Sequence, residues 1–260
     1  MAEIDLTKPS QPAPDTKALA DIQDAESQDR ALMRPGSEAL GSVSYDGNSR
    51  APRLPMFKIR APMSKNVLNP AIENGMASLD LEHIVCNAKG VTRITFLTYK
   101  EWYEDNVDIG MEKKSYATLA EARKAGKSLD RPATGGKPTL RETAKAMILI
   151  AKPDDLNDAA FPFVLDGKRY ALARWYMNGF AVWGPGHTLT NKLDFELKPV
   201  GMIAAEWELT TKETPGKLGP YWKPLTKLLP ARHTKEFQEA VKALFEQAKD
   251  IPEDQAAAAE

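Results

Sequence analysis

Three short stretches of the chain interleave aromatic rings with cations. Arg93, Phe96, Tyr99, Lys100, Trp102 and Tyr103 form the first. Lys168, Arg169, Tyr170, Arg174, Trp175, Tyr176, Phe180 and Trp183 form the second, and Lys212, Lys217, Tyr221, Trp222, Lys223 and Lys227 the third. Single-stranded nucleic acid calls for this combination: cations neutralise phosphates, while flat rings stack on bases whatever their sequence. The candidate contacts are Arg93, Tyr99, Lys100, Trp102, Tyr103, Lys168, Arg169, Tyr170, Arg174, Tyr176, Lys212, Tyr221, Trp222 and Lys223. Alternation along 168–176 puts Tyr170, Arg174 and Tyr176 on one face of a strand and Ala171, Ala173 and Trp175 on the other. The first set reads as a binding face, although core tyrosines with one exposed edge give the same pattern. Phe96, Phe161, Phe163 and Trp207 fit a core better.

Other chemistries find less footing. A single cysteine, Cys86, excludes an intrachain disulfide and a cysteine-based zinc cluster. Three scattered histidines, His83, His187 and His233, leave any metal site to carboxylates. Gly135-Gly136-Lys137 lacks the spacing of a phosphate-binding loop, and Pro138 follows its lysine. Gly184-Pro185-Gly186 has no βαβ unit around it and reads as a turn. Asp154 after a buried strand, with Glu196 and Lys198 in a later extended segment, matches the carboxylate–lysine set of a Mg²⁺-dependent nuclease. Such short patterns arise easily by chance. No cofactor is called for, and the chain reads as a non-enzyme.

The elements that would position these residues are mostly short strands. Residues 56–60 (MFKIR) alternate, 83–86 make a brief apolar run, and 91–99 (VTRITFLTY) are rich in β-branched and aromatic residues. Residues 146–151 (AMILIA) suit a strand buried on both faces. Residues 161–165 and 168–176 flank Asp166-Gly167, a hairpin turn signal. Residues 201–211 alternate, with Ile203, Ala205, Trp207 and Leu209 on one face. Many short strands with Gly/Pro turns favour a barrel or sandwich over an α/β fold. A short helix is predicted over 118–125, stopped by Gly126. A longer one spans 235–249 behind Thr234 as N-cap, with Phe237, Ala240, Val241, Leu244, Phe245 and Ala248 along one face that docks on the barrel. Residues 110–145 hold nine Lys/Arg against four Asp/Glu, which suits either a basic flap or a solvated insertion.

Charge is divided along the chain. Residues 1–53 hold six Lys/Arg against nine Asp/Glu, residues 246–260 one against five, and the body between them 28 against 22. A basic body between acidic ends suits a polyanion partner. The resulting organisation is a disordered segment over 1–53, a candidate single-stranded-nucleic-acid-binding domain over 54–233, an amphipathic helix over 234–249 and an acidic, alanine-rich tail over 250–260. No apolar run reaches the eighteen or so residues of a membrane span, and no secretory leader opens the chain, so the expected setting is the cytoplasm.

This layout resembles the single-stranded-DNA-binding proteins of tailed bacteriophages. The likeness rests on the Pro-rich entry 52–59, the segment Trp207-Glu208-Leu209-Thr210-Thr211-Lys212, the Gly-Pro-Tyr-Trp-Lys-Pro turn at 219–224, the last helix and the acidic tail. The resemblance implies a mainly β fold: an OB-like barrel with long inserted connections, a C-terminal helix, and disordered acidic N- and C-terminal segments. It also implies sequence-nonspecific coating of single-stranded DNA in replication or recombination, without catalysis, in the host cytoplasm. Replication or recombination proteins would be contacted through the tail, and oligomers are compatible with it. One departure is that the chain ends Gln255-Ala256-Ala257-Ala258-Ala259-Glu260, without a terminal aromatic. The competing class is a structural or interaction protein, such as a virion component, whose aromatics form core or interface.

Overall fold

The computed structural model describes residues 53–107, 111–216, 219–249 and 251. The segments expected to be disordered, 1–53 and 250–260, fall outside these residues except for Arg53 and Ile251. The protein is mainly β. A seven-stranded antiparallel sheet runs β10-β9-β4-β6-β8-β7, with β5 paired to the far end of β4. Its strands are β4 (Thr92–Asp105), β5 (Ser115–Tyr116), β6 (Leu140–Ala151), β7 (Phe163–Leu165), β8 (Lys168–Asn178), β9 (Ala205–Thr214) and β10 (Tyr221–Arg232). A small sheet of β1 (Phe57–Ile59), β2 (Ala77–Leu79) and β3 (His83–Ile84) accompanies it. The large sheet is open, with β10 and β7 as its edges rather than partners in a closed barrel.

The two larger of three cores among the described residues form because the sheet is apolar on both faces. On one face, Ile94, Phe96, Ala146, Ile148, Trp175 and Trp207 pack beneath the small sheet and the segment that follows β8. That segment is a π-helical turn (Val182–Gly186) running into α2 (His187–Phe195). On the other face, Leu97, Met147, Leu149, Tyr170 and Leu172 are covered by Phe237, Val241 and Leu244 of α3 (Lys235–Ala248). The Thr234 hydroxyl accepts from the Phe237 backbone N–H and so caps α3. The Asp166-Gly167 turn has both residues at positive φ, 50° and 70°, which lets β7 and β8 pair across two residues.

A bulge in β4 decides which side chains reach which face. The ladder with β6 slips between Phe96 and Thr98, leaving Leu97 as the extra residue. Phe96 enters the first core and Leu97 the second, and alternation resumes with its phase reversed.

Other expectations are corrected by the fold. The connection over 110–145 contains the expected helix as α1 (Leu119–Lys124) and is further broken up by β5 and by β6, which starts at Leu140. Ile203 lies in a 3₁₀ turn, Met202–Ala204, and packs against the α3 core instead of sharing a face with Trp207. Glu196 follows helix α2 and sits in no extended segment.

Candidate nucleic-acid interface

Beyond the residues that α3 covers, the same face of the large sheet carries a row of three side chains. Lys100 of β4 stands opposite Lys145 of β6, which stands opposite Tyr176 of β8. The next row places Trp102 opposite Thr143, and the one after it Glu104 opposite Arg141. Lys145 Nζ lies 5.8 Å from the Tyr176 ring centre. Like charges directly opposed across a ladder weaken it, so a Lys100–Lys145 pair suits a surface that receives an anion.

Glu104 orders the patch. Its Oε1 accepts the Trp102 indole N–H at 2.7 Å, and its Oε2 takes the Arg141 Nη2 at 2.7 Å. One carboxylate thereby fixes a large ring and a guanidinium side by side, while Lys100 is exposed. Among the described residues the patch sets Lys100, Lys145 and Arg141, the last held by Glu104, beside the rings of Trp102 and Tyr176.

The structure brings Lys100, Trp102 and Tyr176 together and distributes the other predicted contacts elsewhere. The reversed phase of β4 turns Tyr99 and Tyr103 to the opposite face. There the Tyr99 hydroxyl donates to Glu101 Oε1 at 2.5 Å, and burial followed by Glu101 pushes its pKa far above the usual tyrosine value. Tyr103 is also raised, by burial and then by Glu142 and Glu101. Tyr170 and Arg174 are buried, at 5% and 4% exposure. The Tyr170 ring lies 5.5 Å from that of Phe237 beneath α3, its hydroxyl pushed up to about 12 by burial. Arg174 donates from Nη2 to the Ile251 carbonyl at 2.5 Å. Both residues are tied to the α3 core and leave the contact set.

Arg93 and Lys168 line an open cleft of about 600 Å³ at the other end of the sheet, with Lys89, Lys152, Asp154 and Glu206. Arg93 faces Glu206 at 3.4 Å, and Arg169 nearby pairs with Asp158 at 2.9 Å. Asp154 belongs to this cleft, but Glu196 pairs with Lys192 at the end of α2. Among the described residues no three His, Cys, Asp or Glu side chains are grouped to hold a metal.

The hairpin of β9 and β10 splits the third cluster. Trp222 turns inward against Gly75, whose positive φ of 87° and lack of a Cβ are both needed, since a Cβ would stand 2.2 Å from the indole. Tyr221 and Lys223 lie on the opposite side of β10, and Lys212 of β9 stands across from Lys223.

Sequence reasoning passed over Arg141 and Lys145 because they were grouped with the basic connection rather than with a strand. Lys145 adjoins the apolar run 146–151, and extending that strand by alternation would have placed it.

No family model matches the chain, and neither a curated protein nor a solved structure matches it.

Proposed function

We propose that the protein binds single-stranded DNA without sequence preference, through the sheet face bearing Lys100, Trp102, Arg141, Lys145 and Tyr176. The observation that carries this reading is the cross-strand row Lys100–Lys145–Tyr176 beside Trp102. Two opposed ammonium groups next to two rings meet the needs of a phosphodiester with its base. Coating without catalysis is part of the proposal, which gives the groups of the patch binding and orienting roles. A role in phage replication or recombination, and contact with partner proteins through the acidic tail, come from the resemblance in layout and form part of the same proposal. So does an OB-like relationship, supported by an antiparallel sheet with a bulged strand and a helix against one face. Among the described residues no helix is long and apolar enough to cross a membrane.

Titration with fluorescently labelled oligo-dT at several salt concentrations tests the proposal. Affinity is expected to fall linearly on a log–log plot, with a slope of ~0.7 per phosphate contact. Affinity that ignores salt, or no binding at all, overturns it in favour of a structural or interaction protein.

A further inference from the structure

We infer that the β9–β10 hairpin and the segment after β8 form a second station for the same nucleic-acid strand, an inference that rests on the reading above. The hairpin repeats the chemistry of the sheet patch. Lys212 and Lys223 are directly opposed across the ladder, and neither is ion-paired among the described residues. Such a pair weakens a hairpin unless an anion sits between its members.

Rings flank Lys223. Phe180 lies parallel to Tyr221, centroids 4.8 Å apart and planes 11° from parallel, with Lys223 Nζ 4.6 Å from the Phe180 centre. Trp183 meets Phe180 edge-on at 6.4 Å and is 59% exposed. Its indole N–H donates to Glu142 Oε2 at 2.8 Å. An exposed tryptophan held in one orientation presents a ready stacking surface, because little side-chain entropy remains to be lost when a base lands on it. The assignment is therefore a base on Trp183 and a phosphate between Lys212 and Lys223. An acidic peptide would use the lysines but leave the fixed, exposed ring without a role.

Trp183 bonds Glu142, which stands opposite Tyr103, so the two stations lie on opposite faces of the large sheet, and a strand that serves both has to pass round the end of β8. Tyr176 of the sheet patch and Phe180 are four residues apart, so their α-carbons are separated by no more than about 14 Å. Gly179, at φ 53°, makes the turn between them. Joining two weak contacts on one strand raises its affinity through effective concentration, and only strands long enough to bridge the stations benefit.

Fluorescence anisotropy with labelled oligo-dT of about four and about twenty nucleotides, lengths that bracket typical site sizes, tests the inference. Trp183→Ala is expected to weaken the long oligonucleotide roughly tenfold and to leave the short one unchanged. Trp183→Phe, which keeps a stacking ring, is expected to recover most of the loss. Lys223→Gln should lower the salt slope for the long strand by ~0.7. If wild-type protein binds neither length, the underlying reading fails. If wild-type protein binds the long strand but Trp183→Ala leaves that affinity unchanged, or weakens both lengths alike, the second station alone is overturned.

Discussion

At the scale of single residues, neighbours give the same ring chemistry two different settings. Tyr176 is half-buried beside Lys145, whereas Trp207 is fully buried with its ring edge-on to Phe96 at 5.9 Å. Tyr176→Ala should therefore cost ~1–3 kcal/mol of single-stranded DNA affinity through lost stacking, with little change in melting temperature. Trp207→Ala should destabilise the fold by ~3–5 kcal/mol through the cavity it leaves, and should lower affinity only as far as it unfolds the protein. Thermal melting and oligo-dT titration of the two variants separate the effects. A Tyr176→Ala protein that melts early but binds normally would reverse the assignment.

At the scale of elements, the extra residue in β4 explains what the sequence could and could not reveal. Strict alternation from Ile94 and Phe96 carries Lys100 and Trp102 onto their face; the bulge at Leu97 moves them to the α3 side and sends Tyr99 and Tyr103 across. Nothing in VTRITFLTY marks that slip, because Thr, Leu and Thr suit either face. Elements with strong local chemistry were legible: the Asp166-Gly167 hairpin, the capped amphipathic α3 and the apolar run of β6. Burial of Tyr170 and Arg174 was not, since it depends on where α3 docks, a contact between residues far apart in sequence. That docking carries its own pH dependence. His233, just before α3, stacks on Phe237 at 4.1 Å, with Nε2 2.8 Å from Thr95 Oγ1. Burial holds its pKa below the ordinary 6.5, with Lys168 adding to the effect and Glu206 opposing it. The unfolded chain then takes up the proton more readily than the folded one. The stability tied to neutral His233 is present in full above pH 6.5 and declines as pH falls below that value. Melting temperature should drop more steeply from neutral pH toward 5 in wild-type protein than in His233→Gln. Parallel pH profiles would show that the histidine does not contribute.

At the scale of the whole molecule, Ile251, the one described residue of the C-terminal segment, is anchored beside the proposed interface. Ile251 is buried at 9% exposure against the α3 core, and its carbonyl accepts from Arg174. Arg174 stands opposite Met147, one row along the face from the Lys145–Tyr176 pair. The chain therefore leaves its last described residue close to the cationic row, with Glu253, Asp254 and Glu260 still to come. Carboxylates tethered at that point are expected to compete with phosphates for the same lysines, an advantage that is electrostatic and that salt would erode. Removing residues 252–260 while keeping Ile251 spares the core contact and should tighten oligo-dT binding. The gain should be largest at low ionic strength and should shrink as the Debye length falls below about 8 Å. Binding curves of the full-length and shortened proteins, measured across a salt series, decide the matter. Coincident curves at every salt concentration would free the tail from any competition with DNA and leave it to contact other proteins.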